Sequence, residues 1–366
     1  MKFLVCFGTR PEAIKMAPVI YQLKQRGLSF KICVTAQHRE MLDQVIDFFE
    51  IKPDFDLNLM EPNQSLNRLS ARILTTMDEV LEQEKPDVVL VHGDTSTSAM
   101  VALAAFHRQI KVGHVEAGLR TFNKAAPFPE EMNRQLTGRI TDFHFAPTAL
   151  AKNNLLKENI RGNQIYLTGN TVVDAIKWAA DKTSFASGTK EINDLDEQLD
   201  PKKKLILFTG HRRENFGRGF ESIFKALRKI GEREDVEILY PVHPNPNLKS
   251  SVTQFLKDDK NILLVPPLSY PAMVWLIKKA GLIISDSGGM QEEAPAFKKQ
   301  VLVTRELSER MEGVQAGFSI LVGTDTERIV SEANKALDNP ADLSGIENPF
   351  GDGKASERII DALMGL

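Results

Sequence analysis

The chain has 366 residues, of which 26% are charged and 42% hydrophobic, the balance of a globular protein and not of a disordered one. Its 46 Lys and Arg against 49 Asp and Glu leave a formal net charge of -3, which excludes nucleic acid as a partner held by bulk positive charge. The 23 Gly and 18 Pro exclude a collagen-like chain, and at about 150 residues per domain the length predicts two to three domains. Met1-Lys2 leads into a short β-like run and not into a signal peptide, and no apolar stretch approaches the roughly 18 residues of a membrane span. Cys6 and Cys33 both sit in apolar runs with no metal-binding spacing, so they read as reduced core thiols. The expectation is a soluble, cytoplasmic protein with no membrane partner and no metal.

Short β-rich runs alternate with helical stretches throughout. Lys2 to Phe7 reads as a strand, followed by a helix from Pro11 to Arg26 that Pro18 is expected to kink or stop. Phe30 to Thr35 is a second strand. Ser65 to Glu84 carries Leu66, Leu69, Ile73, Met77, Val80 and Leu81 on one face and reads as an amphipathic helix. Asp87 to His92 is an apolar strand before a helix from Ser96 to His107; Lys111 to Val115 is a strand, Glu130 to Ile140 a helix. Short strands at Phe143 to Ala146 and Gln164 to Thr168 close this half. The polar stretch 181–203 reads as a surface connection near a boundary or as a loop inside a second domain. The rhythm restarts at Lys204 to Thr209, with strands at Glu237 to Val242, Ile262 to Val265, Leu282 to Ser285 and Val301 to Thr304. Apolar strands separated by helices predict an α/β protein with two Rossmann-like, doubly wound parallel sheets, and two such domains facing a central cleft would bind a ligand at the carboxyl ends of the strands.

The chemistry-bearing residues cluster just after these strands. Gly8-Thr9-Arg10-Pro11-Glu12 opens a helix whose N-terminus favours an anion; a single Gly is not G-x-G-x-x-G, so a nicotinamide cofactor is not expected. Asp94, in His92-Gly93-Asp94-Thr95-Ser96, lies either at a strand end facing the cleft or at a helix N-cap. Glu116 could pair with Arg120 on a surface loop or serve as an active-site acid. Glu130 and Glu131 open a helix, where acids complement the macrodipole. Three acids at neighbouring element ends favour a shared acid–base site. In the second half, Gly210-His211-Arg212-Arg213 suits a phosphate and a proton-transfer role. His243 reads equally as a turn residue. Ser285-Asp286-Ser287-Gly288-Gly289 exposes backbone N–H groups at a helix start, a phosphate cradle. Glu293 lies about 6 Å further along that helix, within reach of ribose hydroxyls.

These motifs together resemble the non-hydrolysing UDP-N-acetylglucosamine 2-epimerase family. The resemblance runs from FGTRPEAIKMAPVI (Phe7 to Ile20) through TAQHREMLDQV, VHGDTSTS, GHVEAGLRT, PFPEEMNRQLTG, GNTVVDA, HRREN and SDSGGMQEEAP to NPFGDGKASERI (Asn348 to Ile359). It implies the two-domain glycosyltransferase-B fold, with residues 1–168 as the first domain, 169–351 as the second, and a C-terminal helix in 352–366 returning to the first. It implies interconversion of UDP-GlcNAc and UDP-ManNAc without cofactor or metal, by elimination of UDP and its re-addition to a 2-acetamidoglucal. By motif position, Asp94, Glu116, Glu130 and His211 match the catalytic set. Arg10, Lys15, Arg134, Ser287, Gly288, Gly289 and Glu293 match contacts to nucleotide and phosphates, and Arg212 and His243 join them on the substrate side. Gln37, Arg212 and His243 resemble contacts to a second UDP-GlcNAc, an allosteric activator in some bacterial members. Arg305 to Glu312 reads RELSERME where members often carry RDTTERPE, and FNKAA (Phe122 to Ala126) replaces the usual segment near the sugar. The resemblance also implies a homodimer. A glycosyltransferase of the same fold and a non-catalytic UDP-sugar sensor are the alternatives; both leave the three acids with less to do.

Overall fold

The computed structural model describes residues 1–35, 39–61, 64–185, 190–243, 245–257 and 259–365. The chain divides into two compact units, Met1–Ala175 together with Phe350–Leu366, and Ile176–Pro349.

The first unit contains β1 (Lys2–Phe7), α1 (Arg10–Gln25), β2 (Ser29–Val34), α2 (Arg39–Phe48), β3 (Phe55–Asp56), α3 (Leu66–Glu84) and β4 (Val88–His92). It continues with α4 (Ser96–His107), β5 (Lys111–Val115), α5 (Glu130–Ile140), β6 (Phe143–Ala146), α6 (Ala149–Lys157), β7 (Ile165–Leu167) and the start of α7 (Thr171–Phe185). Its described strands form one parallel sheet in the order β3-β2-β1-β4-β5-β6-β7. The order reverses direction at β1, as a doubly wound sheet requires. Strands β1 and β4 are apolar and buried along nearly their whole length because helices cover both faces. On one face Leu4, Val89 and Val91 pack with Ile73, Met77, Val101 and Ala105.

Helix α1 runs through Pro18 to Gln25 without the expected stop. Proline removes one backbone bond, but Met16, Ala17, Val19, Ile20 and Leu23 on either side of it are buried, and that packing holds the helix across the gap. Its start is a capping box: Thr9 Oγ1 accepts from Glu12 N, and Glu12 Oε2 accepts from Thr9 N at 2.8 Å.

The second unit takes the rest of α7, then α8 (Lys190–Gln198), β8 (Lys204–Thr209), α9 (Arg218–Gly231), β9 (Val236–Pro241), α10 (Pro246–Leu256) and β10 (Ile262–Val265). After these come α11 (Tyr270–Lys279), β11 (Leu282–Ser285), α12 (Gly288–Glu293), β12 (Val301–Val303), α13 (Met311–Gln315), β13 (Ser319–Leu321) and α14 (Thr326–Asp338). The sheet order is β10-β9-β8-β11-β12-β13, again parallel and doubly wound. Phe208, Phe220, Phe224 and Tyr240 form its aromatic core. The polar stretch 181–203 is largely helical: α8 buries Ile192 and Leu195 and its Glu191 accepts from Ser269 N at 3.1 Å at the start of α11. Two apolar residues in nine were too sparse a stripe to announce this helix.

The C-terminal helix α15 (Ala355–Met364) belongs to the first unit. Asp174, buried on α7, accepts from Ala355 N (3.1 Å), Ser356 N (2.8 Å) and Ser356 Oγ (2.6 Å), capping it. Arg358 donates to Thr168 O at 3.0 Å.

Candidate active site

In the first unit the candidate groups stand where β1, β4 and β5 end. Glu116 directly follows β5 and has φ of 64°, a left-handed conformation that costs a residue with a Cβ about 1–2 kcal/mol. The next turn holds it there. Gly118 has φ of 93°, and a Cβ on it would lie 2.3 Å from the Ala151 carbonyl oxygen, so no side chain fits. Ala117 N donates to Phe145 O at 3.0 Å. Backbone strain fixed this firmly is a signature of functional positions.

The Glu116 carboxylate forms a buried ion pair with Lys15 of α1 and accepts from or faces His92 Nε2 at 3.2 Å. Only 9%, 7% and 5% of the Lys15, Glu116 and His92 side chains are exposed. Both contacts converge on Oε2. Arg120 does not pair with Glu116; it forms a two-pronged bond with Glu158 at 2.6 and 2.9 Å.

Asp94 is not the N-cap of α4. Thr95 takes that position, accepting from Ser98 N at 3.1 Å, which leaves the Asp94 carboxylate for Arg134 of α5, its ion-pair partner. Asn133 Nδ2 donates to Asp94 O at 3.0 Å. Glu12 ties this loop to the start of α1: its carboxylate accepts from Gly8 N at 2.9 Å and Thr95 Oγ1 at 2.7 Å. Burial raises the Glu12 pKa, and the Thr95 bond and His92 oppose the rise. Arg10 opens α1, half-buried. Glu130 is half-buried in the first turn of α5, while its neighbour Glu131 is fully buried and accepts from Thr121 N and Phe122 N, each at 3.0 Å. The two acids that looked alike in sequence thus differ: Glu131 anchors the preceding loop.

In the second unit the organising residue is Asp286, just past β11 and fully buried. Its carboxylate accepts from His211 N (3.0 Å), Arg212 N (2.9 Å) and Asn215 Nδ2 (3.2 Å). That fixes the loop after β8. The His211 ring stacks on His243 with centroids 5.5 Å apart and planes 14° from parallel, and 41% of its side chain is exposed. Partial burial lowers the pKa of His211; Asp286 opposes this, and Arg212 and His243 add to it. Burial lowers that of His243 too. Ser287 is the N-cap of α12, and Gly288, Gly289 and Glu293 follow on that helix, Gly288 and Glu293 buried. A Cβ on Gly288 would lie 2.9 Å from Arg310 Cζ, so the guanidinium rests directly on the helix start. Arg310 bonds Glu292 at 2.9 Å and pairs with Glu309. Burial alone would raise the Glu309 pKa, but Arg310 and Arg305 outweigh it and hold it at about 2.

The structure therefore brings Lys15 to Glu116, Asp94 to Arg134, and His211 to His243 with Arg212 beside it. Gln37 lies outside the described residues. The roles of His92, Glu12, Asp286 and Arg310 are not legible in sequence, though all four lie inside the family-like segments; Asp286 between two serines and His92 before Gly93 were the available signals. Among the described residues no group of three His, Cys, Asp or Glu is placed to hold a metal ion, and no helix is long and apolar enough to cross a membrane.

A family model described as UDP-N-acetylglucosamine 2-epimerase matches residues 22–364. The UDP-N-acetylglucosamine 2-epimerase of Escherichia coli K12 is 51% identical over 99% of this chain and 98% of its own length. That of Bacillus subtilis strain 168 is 48% identical over 100% and 95%. The crystal structure of UDP-GlcNAc 2-epimerase from Neisseria meningitidis bound to UDP-GlcNAc superposes with a TM-score of 0.95 at 45% identity, covering 100% of both chains. The two doubly wound units are thus of the glycosyltransferase-B type, and the protein is an enzyme of the isomerase class. The chain belongs to the UDP-N-acetylglucosamine 2-epimerase family.

Proposed function

We propose that the chain interconverts UDP-N-acetylglucosamine and UDP-N-acetylmannosamine by elimination and re-addition of UDP. A base removes the C2 proton and the anomeric C1–O bond breaks; UDP departs with the bonding pair and a C1=C2 double bond forms, giving 2-acetamidoglucal. UDP then adds back at C1 as C2 takes a proton on the opposite face. Two faces need two acid–base groups, and a departing diphosphate needs cations and N–H donors.

The observation that carries this reading is the set of compensated carboxylates in the first unit, Glu116 with Lys15 and His92, and Asp94 with Arg134. Glu116, Asp94, Glu130 and His211 are the acid–base set, with no face assigned to any of them. Lys15, Arg10 and Arg134 are the cations on the diphosphate side, with Arg212 and His243. The N–H groups after Ser287, at Gly288 and Gly289, bind phosphate, and Glu293 takes the ribose hydroxyls. Arg310 joins them, on the strength of its seat against Gly288. No cofactor enters the scheme. The enzyme acts in the cytoplasm as a homodimer, and a second UDP-GlcNAc, bound near Arg212 and His243, activates it.

Turnover of UDP-GlcNAc in D2O tests the mechanism. UDP-ManNAc carrying deuterium at C2 is expected; product without label at C2 sinks the elimination route. Release of free ManNAc and UDP would identify a hydrolysing enzyme instead.

A further inference from the structure

The scheme above gives His92 no proton to move, yet it is buried against the central carboxylate. The sheet register explains why that contact is unusual. His92 at the end of β4 lies opposite Val115 on β5. On a regular parallel pair, Glu116 would point to the face opposite Val115, away from His92. The left-handed turn at Glu116 overrides this alternation and brings Oε2 to 3.2 Å from His92 Nε2.

We propose that His92 is a positioning residue: with Lys15, its Nε2–H holds Glu116 ionised and in one orientation for proton transfer. This rests on the reading of Glu116 as an acid–base group. The chemistry of the contact follows from the inventory of donors. The Lys15 ammonium on Oε2 favours the ionised carboxylate, and that oxygen is then an acceptor only. His92 must then carry its proton on Nε2, whether neutral or charged. Two donors on one oxygen, from α1 and from β4, fix the side chain more tightly than either could. Both are side chains buried to more than nine-tenths, where a donor to a carboxylate weighs more than at the surface. Charged and titratable groups around the pair include Lys15 and Glu12 from α1, and His114 from β5, whose pKa the nearby His92 helps to lower.

The test compares His92→Leu, His92→Gln and His92→Asn with the parent in full-length protein, measuring kcat and KM against pH in both reaction directions, and UDP affinity by calorimetry. Gln places an amide N–H near the position of Nε2; Asn is too short to reach it. His92→Leu and His92→Asn are expected to lower kcat by about 10–100-fold and to move the acid limb of kcat up by about one pH unit in at least one direction. UDP affinity should stay within about twofold. His92→Gln should keep the limb and most of the rate. If His92→Leu fails to fold, the Gln and Asn pair carries the comparison. Equal losses in Gln and Asn with unmoved limbs, or parental kinetics in Leu, overturn the proposal. Glu116→Gln is run beside them: retained turnover there refutes the role of Glu116 itself, whereas lost turnover with an indifferent His92 refutes only the inference.

Discussion

The two units hold their candidate groups by opposite means. In the first, carboxylates face cations across long sequence separations, Glu116 with Lys15 and Asp94 with Arg134. In the second, a carboxylate faces backbone: Asp286 gathers the N–H groups of His211 and Arg212, and Gly288 and Gly289 offer their own. Side-chain pairing sets the charge state of a group. Backbone pairing sets where a loop lies and leaves its side chains to be tuned separately. The first arrangement suits proton transfer; the second suits a fixed diphosphate.

Four measurements bear on that contrast. The largest effect is expected from Glu116→Gln or Asp94→Asn, which should cut turnover by about 10²–10⁴-fold with UDP affinity, read by calorimetry, nearly intact. A large loss of UDP affinity with normal turnover would exchange the roles of the two units. Next, Asp286→Ala takes the carboxylate acceptor from the part-buried His211 and Arg212 N–H groups, while Asn215 Nδ2 keeps Thr304 O at 3.1 Å; each buried polar group left unmet costs about 1–3 kcal/mol. Denaturant unfolding of the full chain should show a loss of about 2–4 kcal/mol, together with reduced turnover; parental stability would mean that the loop holds itself. Third, Gly288→Ala pushes Arg310 off the helix start and should weaken UDP binding about tenfold, about 1.4 kcal/mol, leaving C2 proton exchange in bound substrate unchanged.

The smallest effect concerns pH. Burial lowers the pKa of His114 to about 3 and of His144 to about 4. As pH falls below about 6.5, the unfolded chain binds protons on these rings that the folded chain refuses. Stability is therefore full above that value and is lost on acidification, until each folded pKa is reached. Each ring contributes a slope of about 1.4 kcal/mol per pH unit. Replacing His144 by Gln should flatten the decline between pH 6.5 and 5.5 by about 1 kcal/mol in denaturant titrations, because the unfolded ring is only half protonated at pH 6.5. An unchanged slope would remove His144 as a cause.

The alternation of strands and helices was legible because parallel strands buried on both faces are nearly continuous apolar runs, as in DVVLVH and KLILFT. The short strands β3 and β13 were not, since two or three residues carry no period. Candidate residues could be read from their place after a strand, but their partners could not. Lys15 and Glu116 are 101 residues apart, and only strand order brings them together. Local rules left open alternatives that tertiary contacts decide. Asp94 looked like a cap, but Thr95 holds that position. Arg120 was a natural partner for Glu116 four residues away, but Glu158 takes it.

The first unit is assembled from both ends of the chain, and this imposes an order on its birth. The ribosome delivers Met1 to Ala175 early, with the sheet complete through β7. Asp174 then has no helix to cap, because Ala355 and Ser356 are not yet made. Roughly 190 residues remain to be translated, about 10–40 s at 5–20 residues per second. Throughout that interval the face of α1 that meets α15 is uncovered on the nascent chain. Maturation of the half that holds Asp94 and Glu116 is thus timed by synthesis of the other.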